Sequence, residues 1–319
     1  MQIDQIKNIA VLGAGTMGPG IAHQYAVGEY YVRLYDINED ALENAKVVLC
    51  ANLDAYVEEG LLPAEEAEQI FNRVLFTTDL AQALENVQFV QETVVEKPDI
   101  KRHVFQDVAD LINSDTIVAS NTSALDPFAL IPESIKERFC TAHWFTPPHI
   151  IPLVEVAKGP DTSEQTMATV IALVKKCGKI PVRVERFIPG HIVNRLQLLL
   201  NTEVFYLLEQ GICTPEQLDI AVKSSLMLRG MVLGVVQRYD FTGLDLSARN
   251  MSNGSYKIPE IGTHPSALFD HVDRGEFGVK TGKGFYDYKG RDLAEILKKR
   301  DRRLFQILKA SKDMLQDRV

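Results

Sequence analysis

The chain has 319 residues, 46% of them apolar, with mean hydropathy near zero, which fits a globular protein of about two domains and excludes a small stapled scaffold. A net charge of −9 repels polyanions and excludes the basic footprint of a nucleic-acid binder. No apolar run approaches the roughly 20 residues of a membrane span, the opening MQIDQIKN has no signal pattern, and Cys50, Cys140, Cys177 and Cys213 lack disulfide or metal spacing; a cytoplasmic protein with reduced thiols and no bound metal is expected.

From residue 8 to about 184, short β-branched runs alternate with longer helical patterns. Strands are predicted at Asn8–Leu12, Tyr31–Tyr35, 73–76, 88–91, 116–119, 139–143, 153–156 and Ile180–Val184, with helices at Glu39–Glu58 and 99–111 between the early ones. That alternation is the signature of βαβ units and a mainly parallel, doubly wound sheet. The later strands lack long helices between them, which points to an antiparallel extension. After Phe187-Ile188-Pro189-Gly190 the pattern turns helical, at 192–210, at 215–224 and in a last amphipathic stretch whose basic run, 298–303, reads as its wet face. The division expected is an α/β domain over 1–186 and an all-α domain over 187–319.

The first strand runs directly into Gly13-Ala14-Gly15-Thr16-Met17-Gly18, a G-x-G-x-x-G between a strand and a helix. Gly13 permits the tight turn, Gly15 lets backbone approach a pyrophosphate and Gly18 allows close helix–sheet packing, while the helix N-terminus offers partial positive charge. Asp36, 23 residues after Gly13, ends the second strand where an acid accepts ribose hydroxyls and repels a 2′-phosphate, so NAD is favoured over NADP. FAD fits the same features.

Further along, AHWFTPPHIIPLVEV (142–156) places Glu155 inside an apolar, β-branched run, where an unpaired carboxylate is costly. Among the seven histidines, His143 alone ends a late strand of the sheet, where open α/β folds present ligand-binding residues. Paired through one ring nitrogen with Glu155, His143 would be a general base for a hydroxyl proton. A structural reading also fits, with Glu155 paired to Lys158 or Arg183 and His143 a satisfied core residue. Ser120-Asn121-Thr122-Ser123 clusters amides and hydroxyls at a strand's C-terminal end, as a site or as a plain turn. Asn194 stands early in the first helix of the second domain, as a cleft residue or as surface.

Taken together, GAGTMG with Asp36, VVEKPDIK (94–101), SNTSAL (120–125), AHWFTPP (142–148), LVEV (153–156), PGHIVNR (189–195) and FGVKTGKGFYDY (277–288) resemble the L-3-hydroxyacyl-CoA dehydrogenase family over nearly the whole chain. The resemblance implies a Rossmann-type NAD-binding domain, a helical domain that dimerises, and a role in fatty acid metabolism. It implies His143 as base, Glu155 as its orienting partner, Ser123 and Asn194 as substrate hydrogen-bonders, and Asp36, Glu96, Lys101, Asn121 and Thr146 as NAD contacts. The leading expectation is interconversion of a 3-hydroxyacyl-CoA and its 3-oxo form. Two departures favour a small free hydroxy acid or carboxylated aromatic alcohol or aldehyde instead: Thr146 where the family commonly has asparagine, and an acidic Tyr56-Val57-Glu58-Glu59-Gly60 where coenzyme A phosphates want cations. Arg229 or Arg238 would then be candidates to clamp a carboxylate. A non-catalytic NAD-binding role is the remaining alternative.

Overall fold

The computed structural model describes residues 1–319 apart from Ser255, Tyr256, Ile258 and Arg318. In the first part of the chain, β1 (Asn8–Leu12), α1 (Gly18–Val27), β2 (Tyr31–Tyr35), α2 (Glu39–Glu58), α3 (Ala64–Phe71), β3 (Val74–Thr77), α4 (Leu80–Leu84), β4 (Phe89–Glu92), α5 (Pro98–Leu111) and β5 (Ile117–Ser120) alternate strand with helix. Then come β6 (Phe139–Trp144), β7 (Leu153–Ala157), α6 (Glu164–Lys176) and β8 (Ile180–Val184). The eight strands form one sheet in the order β3-β2-β1-β4-β5-β6-β7-β8. Pairing is parallel throughout except between β6 and β7, so the antiparallel extension is real and consists of β7 and β8.

The central strands are buried on both faces because helices cover each side, and their near-continuous apolar sequence follows from that. One layer of core gathers Ile9 and Val11 with Ile21, Tyr25 and Leu49; the other packs Ala10 and Leu12 against Phe105, Val108 and Phe139. Helix starts follow local chemistry: the Asn38 side chain accepts the Asp40 N–H to open α2, and Ser163 accepts the Thr166 N–H to open α6.

The chain separates into compact units at residues 1–195 and 196–319, nine residues later than the change of pattern at 186 suggests. The intervening segment stays with the sheet because the His191 ring is fully buried there and the N–H groups of Ile192 and Val193 bond to Glu155. In the second unit α7 (Val193–Glu209) continues into α8 (Pro215–Ala221), a π-helical turn over Val222–Met227, α9 (Leu228–Leu233), α10 (Gln237–Thr242), α11 (Leu244–Asn253), α12 (Ser266–Asp273) and α13 (Leu293–Ser311). Among the described residues no helix is long and apolar enough to cross a membrane.

Lys179, at the entry to β8, is 6% exposed. It donates to the Ile151 carbonyl at 3.0 Å, and its ammonium lies 5.9 Å from the centre of the Trp144 ring, with no carboxylate paired to it among the described residues. Burial pushes its pKa down to about 7. The unfolded chain therefore takes up this proton below its ordinary pKa near 10.5, the folded chain only below about 7, and folding loses stability as pH drops across that window. Lys179→Met is expected to raise stability at pH 7 by ~1–3 kcal/mol, with the gain over wild type shrinking toward pH 10. Urea unfolding of both proteins at the two pH values checks this; a variant less stable at pH 7, by a pH-independent margin, contradicts it.

Candidate active site

The glycine loop after β1 has the shape its spacing demands. Gly13 is at φ +107°, and a Cβ there would stand 2.9 Å from the Thr93 carbonyl oxygen. A Cβ on Gly18 would meet the Gly13 carbonyl oxygen at 1.8 Å, whereas at Gly15 it would meet nothing within 4 Å. Two glycines are thus fixed by the protein's own packing, and the third leaves open the space beside the loop where a pyrophosphate would lie, with Ala14, Thr16 and Met17 completing the turn into α1. Asp36 leans over the loop: Oδ2 accepts the Ala14 N–H at 2.8 Å and Oδ1 the Asn38 N–H at 2.9 Å. An acid held there, half-exposed at the end of β2, suits ribose hydroxyls, so these residues fit NAD.

The antiparallel register of β6 and β7 sets His143 directly opposite Glu155. Their side chains share a face, and Nδ1 of His143 lies 3.0 Å from Glu155 Oε2. Both residues are buried, at 3% and 1% exposure. The other carboxylate oxygen, Oε1, accepts the N–H groups of Ile192 and Val193, each at 3.0 Å, where α7 begins. Burial by itself raises the Glu155 pKa, but the His143 hydrogen bond, the Val193 N–H and the charge interaction with His143 outweigh it and hold the carboxyl below its ordinary range. Lys158 and Arg183, the alternative partners, pair instead with Glu164, and Arg183 also with Glu185.

Nε2 of His143 faces Ser123 Oγ at 3.3 Å. Ser123 is placed by Glu96, whose Oε1 accepts the Thr122 hydroxyl at 2.6 Å and the N–H groups of Ser123, Ala124 and Leu125 at 2.8, 2.8 and 3.0 Å. Desolvation works to raise the Glu96 pKa, yet these four donors win and bring it down to about 2. Asn121 Oδ1 accepts the Trp144 N–H at 2.7 Å, tying β5 to the end of β6 just beyond His143. Thr146 is exposed, and its hydroxyl donates to Met17 Sδ at 3.1 Å, so it stands against the glycine loop. Asn194 lies in the first turn of α7, half-buried, next to the Val193 N–H that Glu155 holds.

Lys101 points into the interior. It is 1% exposed and pairs at 2.6 Å with the fully buried Glu92, which also accepts the Ser120 hydroxyl and the Val94 N–H. Sequence reasoning missed Glu92, although the signal that singled out Glu155, an acid inside an apolar strand, is present in Phe89-Val90-Gln91-Glu92. It also left His191 among several histidines near the site. The structure stacks the His191 ring on His143, with centroids 4.5 Å apart and planes 15° from parallel. His143, Glu155 and His191 bring potential ligand atoms within 4.8 Å of one another. Their bonds to one another, to Thr141 and to backbone N–H groups are those of a hydrogen-bonded pair with a stacked neighbour. In the second unit, Arg229 is exposed with its Nε donating to the Ser225 carbonyl at 3.4 Å, and Arg238 lies 4.6 Å from the Tyr239 ring centre.

Comparison with known proteins agrees with this geometry. Residues 8–187 match the NAD binding domain of 3-hydroxyacyl-CoA dehydrogenase, and residues 190–288 match its C-terminal domain. The chain is 33% identical over 305 residues to 5-formyl-3-hydroxy-2-methylpyridine 4-carboxylate 5-dehydrogenase of Mesorhizobium japonicum, covering 95% of this chain and 97% of that protein. It is 33% identical over 287 residues to a probable 3-hydroxybutyryl-CoA dehydrogenase of Bacillus subtilis, covering 89% and 98%. A crystal structure of the pyridine-carboxylate 5-dehydrogenase, described as an NAD+ dependent dismutase, superimposes with a TM-score of 0.83 at 33% identity, covering 96% of this chain and 99% of that one. The chain therefore belongs to the 3-hydroxyacyl-CoA dehydrogenase family and is an NAD-dependent dehydrogenase acting on CH–OH groups.

Proposed function

We propose that this dehydrogenase uses His143 as its general base and acts on a small, free, carboxylated hydroxy or carbonyl compound. The observation that carries the base assignment is the buried pair of His143 Nδ1 and Glu155 at 3.0 Å, with the opposite ring nitrogen facing Ser123. In the oxidising direction His143 Nε2 takes the substrate hydroxyl proton, and Glu155, kept charged by its donors, stabilises the imidazolium that results. Ser123 and Asn194 hydrogen-bond the substrate oxygen as its carbon goes from tetrahedral to trigonal. NAD, when bound, supplies the hydride acceptor. Gly13, Ala14, Gly15, Thr16, Met17 and Gly18 hold its pyrophosphate and Asp36 its ribose hydroxyls, with Glu96, Asn121 and Thr146 shaping the nicotinamide side. Lys101 acts there through its hold on Glu92.

The substrate reading rests on charge. Between Lys46 and Arg73 the α2–α3 hairpin carries no lysine or arginine, and it holds Asp54, Glu58, Glu59, Glu65, Glu66 and Glu68. A coenzyme A 3′-phosphate would meet repulsion on this surface. Similarity to the enzyme named for a formyl-pyridine carboxylate supports the same choice. An aldehyde suits the same base as its hydrate, whose tetrahedral carbon bears both a hydride to lose and a hydroxyl proton for His143 to take. The acyl-CoA reading is second, favoured by the 3-hydroxybutyryl-CoA dehydrogenase of similar identity.

The two substrate readings part in one assay read at 340 nm, NADH oxidation with acetoacetyl-CoA beside free acetoacetate and small oxo acids, and NAD reduction with carboxylated aromatic aldehydes. Preference for free carboxylated compounds by at least tenfold in kcat/KM is expected; preference for the CoA ester by orders of magnitude reverses the assignment. On the best substrate, His143→Ala is expected to lower kcat by about 10²–10⁴-fold with NAD affinity kept within a few-fold. A His143→Ala enzyme with ordinary turnover would remove the dyad from the mechanism.

We also propose that the helical unit is completed by a second copy of the chain. Helices α7 to α12 contain no buried residue, and Leu198, Leu199, Ile220, Leu228, Phe241, Leu244 and Met251 are exposed on them. So much uncovered apolar surface is the property of an interface. Light scattering on the eluting protein is expected to give about twice the mass of one chain, and a monomer at micromolar concentration contradicts the proposal.

A further inference from the structure

We infer that His191 is a positioning residue for the dyad, holding the plane of the His143 ring so that Nε2 stays aimed at the substrate. The inference rests on the reading of His143 as the base. Glu155 holds His143 at Nδ1 and Ser123 touches Nε2 at 3.3 Å, but neither in-plane contact stops the ring tilting out of its plane and carrying Nε2 out of line. A stacked ring blocks this motion, and His191 lies face to face with His143 at 4.5 Å. Phe145 closes the site from an edge-on direction, 4.6 Å from the His143 ring centre.

His191 is itself oriented. Its Nε2 lies 3.0 Å from the hydroxyl of Thr141, two residues before His143 on β6 and on the same face of the strand. Phe187 packs edge-on against it at 5.3 Å. The backbone of the same short segment holds the rest of the site: the Gly190 N–H donates to the Ser123 carbonyl at 2.8 Å, and the Ile192 and Val193 N–H groups hold Glu155. One strap thus grips the residues on both sides of His143 while placing a ring over its face.

This arrangement is unfavourable for folding alone. His191 adopts φ +48°, a left-handed conformation that suits glycine, and its Nδ1 is buried without a hydrogen-bond partner among the described residues. Packing by itself would be better served by an apolar ring. Strain and an unsatisfied polar atom beside a reacting group point to function. Burial and the neighbouring His143 push the His191 pKa down to about 4, so the stacked ring stays neutral when His143 becomes charged and offers the imidazolium an aromatic face.

Three variants test this: His191→Ala removes the stack and the Thr141 bond, His191→Phe keeps a ring but loses the bond, and Thr141→Val loses only the bond. With NADH and the best carbonyl substrate, His191→Ala is expected to lower kcat about 10²-fold while the KM for NADH changes less than about threefold. His191→Phe should recover at least tenfold of that loss, and Thr141→Val should cost only a few-fold. Imidazole ¹⁵N spectra supply a readout free of turnover: wild type and His191→Phe should show His143 as one tautomer, protonated at Nδ1, and His191→Ala a mixture of two. Unchanged kcat together with an unchanged single tautomer in His191→Ala overturns the inference, as does an equal loss in the alanine and phenylalanine variants. Should His191→Ala not fold, a Thr141→Val enzyme with wild-type kcat and spectrum overturns it equally. Retained activity in His143→Ala would instead overturn the dyad, so the two failures are distinguishable.

Discussion

The constraint on which the site depends is a charge that must not go unpaired. Glu155 sits in β7 among Val154 and Val156, where a lone carboxylate would be protonated or would pull the strand apart. It stays charged because His143 meets one oxygen and the N–H groups of Ile192 and Val193 meet the other. Each partner fixes something larger. The first requires β7 to run antiparallel beside β6 in one register, since a slip of one residue would turn Glu155 to the opposite face. The second requires the chain leaving β8 to fold back over the sheet before α7 can begin, which is why the first compact unit ends at residue 195.

Similar chemistry recurs around the nucleotide loop. Asp36 is held by the N–H groups of Ala14 and Asn38, Glu92 by the Val94 N–H and Lys101, and Glu96 by the N–H groups of Ser123, Ala124 and Leu125. In each case a carboxylate organises a loop by accepting donors that helices and strands leave over at their ends. Such donors are fixed in direction, so the loops carrying Gly15, Ser123 and Asn194 need little secondary structure of their own to present their residues reproducibly. A net charge of −9 is compatible with this because the acids around the site are internally satisfied.

Much of this was legible in residue order. The short β-branched runs predicted all eight strands, with β1, β2 and β8 at their observed limits and the others displaced or extended by one residue. Glu155 was legible as an anomaly, and Glu92 could have been by the same criterion. The helical unit was less so: the stretch predicted as one helix at 215–224 passes from α8 into a π-helical turn, where the spacing of side chains no longer follows a period of 3.6. Lys101 carries a motif position implied to contact NAD, yet it is turned inward by the need to neutralise Glu92, a demand invisible without knowing that α5 packs beside the end of β4.

The sequence by itself determined the alternation of strands and helices, the glycine turn, the acid at the end of β2 and the residue types able to move a proton. Those features are local, set by backbone sterics, apolar period and chemical identity over a few neighbouring residues. Tertiary structure alone decided which partner Glu155 takes, that Ser123 faces the free nitrogen of His143, and that His191 lies over its ring. These pairings join residues 12, 20 and 48 positions apart in the chain. Distance along the chain gives no direction in space, and only the antiparallel turn of one strand and a left-handed residue after Gly190 brought those side chains to the same few ångströms.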